Sequence, residues 1–465
     1  MLIRFSVKNV LSFNDDIGDN DSNDSNDTVQ FSMNAGNVRT FPEHVNKSKN
    51  NKILKFAAIY GANASGKSNI IKAMSLMQSI VMNGQLNDLQ TNLYCKVDSK
   101  NKNKPSYFEM EIELDGEYYA YGFECILYKS IIISEWLVKL NKSGESPIFE
   151  RDVRSKNFVD GLKNKSINLY YNGIRSDKNI LFLNEMNRKK KDFYKDNPKT
   201  AIYKKIFDWF RDSLDINFAN NSISGYKYLL EDDNFDKISS LLKAFGTGIT
   251  DFKLEEIPKV QFYDKLPQEL KYEVQKDVNK FVKLSRKKEK PGYFNFSIEH
   301  CFFSVKIDSQ NVEPVYRELN FKHNNSDTIF EVNEESDGTI RLLDLLEILL
   351  TKEKNKVYVI DEIDRCLHPN LTYRFIQTYL ESLEKRNIQL IITSHESRIL
   401  DLQLLRRDEV CFVKKNNKGE SKIYSLDDYK TRFDQKLDKA YLDGRYDAVP
   451  EFGPIIANLN EDCEK

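Results

Sequence analysis

The sequence predicts an α/β fold with an N-terminal antiparallel β subdomain and a mainly helical insertion. Three observations carry that expectation. A short apolar run, Phe56–Tyr60, leads through a glycine-rich turn into a stretch with helical spacing. Residues 107–140 alternate apolar and polar side chains as paired strands do. From residue 295 onward, after a long helical stretch, strands and helices alternate again.

The elements follow in order. Leu2, Ile3, Phe5, Val7 and Val10 read as an opening strand that ends at Leu11-Ser12-Phe13. Residues 14–27 are rich in Asp, Asn and Ser, with almost nothing apolar to bury, and are expected to form a surface loop. After the Phe56–Tyr60 strand, Ile70, Ile71, Met74, Met77 and Ile80 recur at helical spacing. Residues 107–114 form a strand, Asp115-Gly116 a turn, residues 118–127 the returning strand and residues 131–140 a third. Residues 155–290 are rich in Lys, Asn and aromatic side chains. The basic clusters at 188–191 and 286–288 read first as solvated faces. The sharper reading is a docking surface for a partner or for nucleic acid. Three regions are expected: an N-terminal lobe, 1–150; a helical insertion, 151–294; and a C-terminal lobe, 295–465.

Composition narrows the classes. Lys and Arg number 70 against 71 Asp and Glu in 465 residues, which gives no global electrostatic case for nucleic acid or membrane binding. The six cysteines are scattered without a C-x-x-C pair, so a reducing cytoplasm is expected rather than a disulfide framework. No apolar run reaches the roughly 18 residues of a membrane span, and the N-terminus lacks the apolar core of a signal peptide.

The decisive motif is Gly61-Ala-Asn-Ala-Ser-Gly66-Lys67-Ser68, which matches G-x-x-x-x-G-K-[ST] between the expected strand and helix. Glycines let the backbone curl so that the amides of Gly61, Asn63, Ala64, Ser65 and Gly66 turn toward phosphate oxygens. The helix that opens at Lys67 adds the positive end of its dipole. Lys67 supplies a point charge to the terminal phosphates of ATP, and the Ser68 hydroxyl suits Mg²⁺.

Nearly three hundred residues later, Lys356-Val-Tyr-Val-Ile360-Asp361-Glu362 is an apolar strand ending in two carboxylates. Asp361 is the candidate partner of Mg²⁺, and Glu362 the candidate base for water. The plain alternative is a strand that merely ends in an acidic turn. Two further elements argue against it. Gln389-Leu-Ile-Ile-Thr-Ser-His395 is another apolar strand, ending at an imidazole placed to meet a γ-phosphate. Glu335-Ser336-Asp337-Gly338-Thr339 precedes an apolar-periodic helix through Ile340, Leu343, Leu346, Ile348 and Leu350. Ser336 or Asp337 caps that helix, and a Ser and a Gly there also make an anion site.

In this order, the glycine-rich loop, the Ser-x-Gly helix start, the Asp-Glu strand and the His strand resemble ABC-type ATPases. More narrowly, the chain is similar to the SMC/Rad50-like branch of bacterial defence and DNA-maintenance proteins. Asn9-Val-Leu-Ser-Phe13 looks like that branch's opening, as does the loop extended to Asn69. Glu335–Thr339, Asp361-Glu-Ile-Asp-Arg-Cys-Leu-His-Pro369, Ile392-Thr-Ser-His395 and Tyr441-Leu-Asp-Gly-Arg-Tyr-Asp-Ala-Val-Pro450 resemble the AAA15 family within it, including its AbiL, RloA and AriA types. The helical middle has no such counterpart.

The resemblance implies an ABC-type P-loop ATPase head that sandwiches ATP in a head-to-tail homodimer or a larger homo-oligomer. Ser336 and Gly338 then cap the γ-phosphate held by a second protomer. Asp364 sits in the loop between sites, His395 senses the γ-phosphate, and Glu362 activates water. It also implies a magnesium-contacting Gln after the first helix, for which Gln78, Gln85 and Gln90 are candidates, and places Ser12 and Phe13 near the base. AAA15-type proteins look like the ATPase half of anti-phage systems, which implies slow turnover and a separate toxic effector such as a Toprim-type nuclease. The alternatives are a Rad50-like machine acting on DNA and a stand-alone nucleotidase. About 70 residues follow His395, fewer than a Toprim nuclease on the same chain needs, so the effector is expected on another protein.

Overall fold

The structure is a computed structural model. It describes residues 1–14, 28–47, 51–87, 90–188, 191–219, 223, 228, 235–288, 292–298, 301–307, 313–324, 328–429 and 436–449. The acidic stretch at 15–27, Lys189 and Lys190 of the first basic cluster, and Pro450 lie outside the described residues. The chain forms two compact units. The first comprises residues 1–218, 354–363 and 380–465; the second comprises residues 219–353 and 364–379.

The first unit is built on two large sheets. One is antiparallel: β10 (Asn157–Asp160), β9 (Gly144–Asp152), β8 (Ile131–Asn141), β7 (Glu117–Ile126), β6 (Ser106–Leu114), β1 (Leu2–Lys8) and β2 (Val29–Ser32), in that spatial order. The expected hairpin is there: Leu114 faces Glu117, and Asp115 and Gly116 turn with φ of 55° and 79°. Two consecutive positive φ values are what a two-residue turn between right-twisted strands needs. A short ribbon pairs β3 (Val45–Lys47) with β4 (Lys52–Leu54).

The second large sheet runs β11 (Leu214–Asn217), β17 (Val357–Ile360), β18 (Gln389–Thr393), β5 (Phe56–Tyr60), β19 (Val410–Lys415) and β20 (Ser421–Ser425). The strands from β11 to β19 are mutually parallel, and β20 folds back antiparallel on β19. Parallel strands covered on both faces read as continuous apolar runs. β5, β17 and β18 are buried throughout. Register brings Ile360 beside Ile392 and Thr393 beside Ile59. Gly61, Asp361 and Ser394 therefore leave the sheet at one carboxyl edge, where ligands of such sheets bind. The Lys67–Asn83 helix buries Ile70, Ile71, Met74, Met77 and Ile80, the face its spacing predicts. It ends at Gly84 in the left-handed region, whose N–H donates to the Ile80 carbonyl.

Residues 151–218 join the first unit through β10 and β11. The insertion carries the helices Lys165–Ile174, Ala201–Asp208, Phe235–Ala244 and Gln268–Lys288. Within the second unit, β12 (Ile249–Glu256), β15 (Val315–His323), β14 (Cys301–Ile307) and β13 (Gly292–Ile298) form an antiparallel sheet, with β16 (Ile329–Glu331) on β15. Phe262 anchors its core, with ring centres 4.7 Å from Tyr316 and 5.3 Å from Phe303. Among the described residues no helix is long and apolar enough to cross a membrane.

Candidate nucleotide site

Residues 61–66 curl at the end of β5 because two of them accept unusual backbone angles. Ala64 has φ 62° and Gly66 φ 111°. A Cβ at Gly61 would lie 2.5 Å from the Val413 carbonyl oxygen and 2.6 Å from Ser65 Oγ, so only glycine passes there. Ser65 Oγ is buried and has no hydrogen-bond partner among the described residues. Lys67 is 6% exposed, and its Nζ donates to the carbonyls of Gly61 at 2.7 Å and Ala62 at 3.1 Å.

The acidic strand end meets this loop directly. Ser68 Oγ donates to Asp361 Oδ1 at 3.0 Å, and Thr393 Oγ1 donates to the same oxygen at 2.6 Å. The backbone N–H of Glu362 donates to Thr393 Oγ1 at 2.7 Å. Glu362 itself is left-handed, with φ 50°. Such an angle is costly for a glutamate and persists only where surroundings over-determine it. A cavity of ≈ 590 Å³ opens over the loop, lined by residues 63–69, Lys72, Glu362, His395 and Lys415. The expected loop residues from Asn63 to Asn69 thus share one space with Glu362 and His395, Gly61 lies outside that lining, and Asp361 is hydrogen-bonded to Ser68.

The donor set suits a polyphosphate with a hard divalent cation. Backbone amides and two further lysines face the cavity, and a hydroxyl and a carboxylate sit within one hydrogen bond of each other. Ser336 and Gly338 lie in the second unit. There Ser336 caps the Asp337–Leu350 helix, its Oγ accepting from the Thr339 N–H at 3.1 Å. A Cβ at Gly338 would approach the Cys366 carbonyl oxygen to 2.8 Å. Asp364 belongs to this unit too.

The glutamine candidates are engaged away from the cavity. Gln78 Nε2 donates to the carbonyls of Phe210 and Leu214, Gln90 Nε2 lies 3.3 Å from Ser79 Oγ, and Gln85 bridges Ile180. Ser12 and Phe13 are enclosed, at 6% and 0% exposure. Thr393, Lys72 and Lys415 went unnoticed in the sequence. Thr393 had a signal, a hydroxyl just before the Ser-His strand end. Lys415 had none, because only β19 lying beside β5 brings it near.

The sheet presents a P-loop-type turn at its carboxyl edge, between β5 and the Lys67–Asn83 helix. Among solved structures, a Smc head bound to the C-terminal winged-helix domain of ScpA aligns at 13% identity and TM-score 0.41, over 94% of this chain and 99% of that one. A Thermotoga maritima SMC head aligns at 13% identity and TM-score 0.32, over 91% and 98%. An Smc head with extended coiled coil bound to ScpA, from Pyrococcus furiosus, aligns at 15% identity and TM-score 0.38, over 96% and 98%. These likenesses are loose in three dimensions. No curated protein matches the chain. Residues 56–401, well over half of the sequence, match the family described as "AAA domain, putative AbiEii toxin, Type IV TA system", and the chain belongs to that AAA-domain family.

Proposed function

We propose that this protein binds and hydrolyses ATP between two copies of itself and serves as sensor and scaffold of an anti-phage, abortive-infection system. One observation carries the ATPase reading: residues 63–69, with Lys67 and Ser68 among them, share one cavity with Glu362 and His395, and Ser68 is hydrogen-bonded to Asp361.

In this reading the amides of residues 63–69 hold the β- and γ-phosphates. Lys67 exchanges its two loop carbonyls for phosphate oxygens. Ser68 and Asp361 hold Mg²⁺, which when bound offsets phosphate charge. Glu362 takes a proton from the attacking water, and His395 contacts the γ-phosphate. Ser336 and Gly338 serve the site of a second copy, offering the start of the Asp337–Leu350 helix to its γ-phosphate. ATP then acts as a clamp with slow turnover, and its loss releases a separate toxic effector. The family description, which names a toxin and a toxin–antitoxin system, supports a defence setting, as does the AAA15-type resemblance.

A second reading, a Rad50-like machine that grips DNA, has one specific observation behind it. Lys276, Lys280, Lys283 and Lys287 fall on one exposed face of the Gln268–Lys288 helix, at i, i+4, i+7 and i+11 spacing.

A pull-down of the tagged protein from cells carrying its native gene neighbourhood, with and without ATP, separates the two. Recovery of a stoichiometric neighbouring protein, released on loss of nucleotide, supports the sensor. Recovery of the chain alone, with ATP-dependent and salt-sensitive DNA binding, rejects it in favour of the DNA machine.

A further inference from the structure

The carbonyl of Ser65 and the N–H of Gly66 belong to one peptide. That peptide is planar and trans, so its two polar groups point to opposite sides. Whatever holds the carbonyl on the outer side sets the direction of the N–H on the side of the cavity.

The holding group is distant in sequence. Ser421, the first residue of β20, donates from Oγ to the Ser65 carbonyl at 2.6 Å. Its Oγ also lies 2.8 Å from Ser12 Oγ. Ser12 Oγ accepts in turn from Asn69 Nδ2 at 2.8 Å. A hydroxyl has a single proton. With Ser421 donating to the carbonyl, the direction of the chain is set: Asn69 donates to Ser12, Ser12 to Ser421, and Ser421 to Ser65. The backbone joins the same two residues, since the Ser421 N–H donates to the Ser12 carbonyl at 2.8 Å.

Burial makes this relay count. Ser12, Ser65 and Ser421 are 6%, 3% and 1% exposed, so water does not replace a lost bond cheaply. Gly66 is what lets the hydroxyls in: a Cβ there would stand 2.3 Å from Ser421 Oγ and 3.0 Å from Ser12 Oγ. Lys415, which lines the cavity, is the cross-strand partner of Ser421 in the β19–β20 hairpin. The hairpin thus delivers a cation to the cavity and a hydroxyl to the loop from one cross-strand pair.

We propose that Ser421 and Ser12 are positioning residues for phosphate binding: the Asn69–Ser12–Ser421 relay fixes the Ser65–Gly66 peptide with its N–H toward a phosphate oxygen. This rests on the nucleotide reading above. The residues touch no substrate and act only through the loop.

The test uses the full chain and a fluorescent N-methylanthraniloyl ATP, displaced by unlabelled ATP or by inorganic tripolyphosphate. Ser421→Ala and Ser12→Ala are each expected to weaken both competitors by the same factor, about tenfold for one lost hydrogen bond. The double variant is expected to be no worse than either single one, because one broken link already interrupts the relay. The melting temperature without nucleotide should fall by the same small amount in either single variant and no further in the double one. Wild-type affinity in Ser421→Ala overturns the proposal. So does an additive double variant whose melting temperature falls in step, since that marks hydroxyls that merely stabilise the fold. If the unmodified protein fails to bind the labelled nucleotide, the site reading falls and takes the relay with it.

Discussion

Lys67 lies curled over its own loop, Nζ 2.7 Å from the Gly61 carbonyl. A buried ammonium that donates to two loop carbonyls is poised to exchange them for phosphate oxygens. Lys67→Ala is therefore expected to weaken ATP binding by about a hundredfold or more, read by equilibrium titration. Glu362 plays a different part, since its backbone is held by Thr393 and the residue lines the cavity. Glu362→Gln should retain binding and lose about 10²–10⁴ in turnover, with ATP-dependent dimers that persist in light scattering. Hydrolysis at the unmodified rate would remove Glu362 from the role of base. Thr393→Val keeps the shape but leaves the Asp361 carboxylate and the Glu362 N–H each one bond short. It should depress kcat more than it raises KM for ATP, and a change confined to KM would sink that assignment.

At the scale of the element, the helix Asp337–Leu350 has a start that tolerates little change. Its cap is Ser336, and its second residue, Gly338, passes the Cys366 carbonyl at a separation that leaves no room for a methyl group. Gly338→Ala is expected to cost about 1–3 kcal/mol of stability, measured by urea unfolding. Ser336→Ala is expected to cost less stability, about 1 kcal/mol for the lost cap. The hairpin of β6 and β7 was legible because alternation and an Asp-Gly turn are local signals. β11 was not: four residues, Leu214–Asn217, are too short for periodicity to separate strand from helix. The second unit's sheet was not legible either: β12 pairs with β15 across two intervening helices and two strands, and pairing at that distance leaves no local signal.

For the whole molecule, the proposed head-to-tail dimer makes a sharp forecast. Lys67→Ala disables one copy's loop and Ser336→Ala weakens its service to the partner. Mixing the two inactive variants rebuilds one intact site in each mixed dimer, so ATP turnover should reappear on mixing. No recovery would reject service in trans. Thiol reactivity tests the packing independently. Cys95, Cys125 and Cys411 are buried, and burial pushes the Cys411 thiol up to about 12, whereas Cys366 is exposed. Iodoacetamide at pH 8 should label Cys366 and spare those three until the protein unfolds, as peptide mass spectrometry would show.

The sequence by itself determined the chemistry of the site and the strands that bear it. Glycine spacing, a lysine at a helix start and carboxylates at a strand end are local demands that few other residue types meet. What the tertiary structure decided is which distant groups come together. Thr393 joins Asp361 to Glu362, Lys415 reaches the cavity, and Ser421 meets Ser12 and Ser65 across more than three hundred residues of chain. Those encounters follow from the order β17, β18, β5, β19, β20 in the parallel sheet. Strand order is set by how buried faces stack across the chain, and a single strand's sequence carries no record of its neighbours.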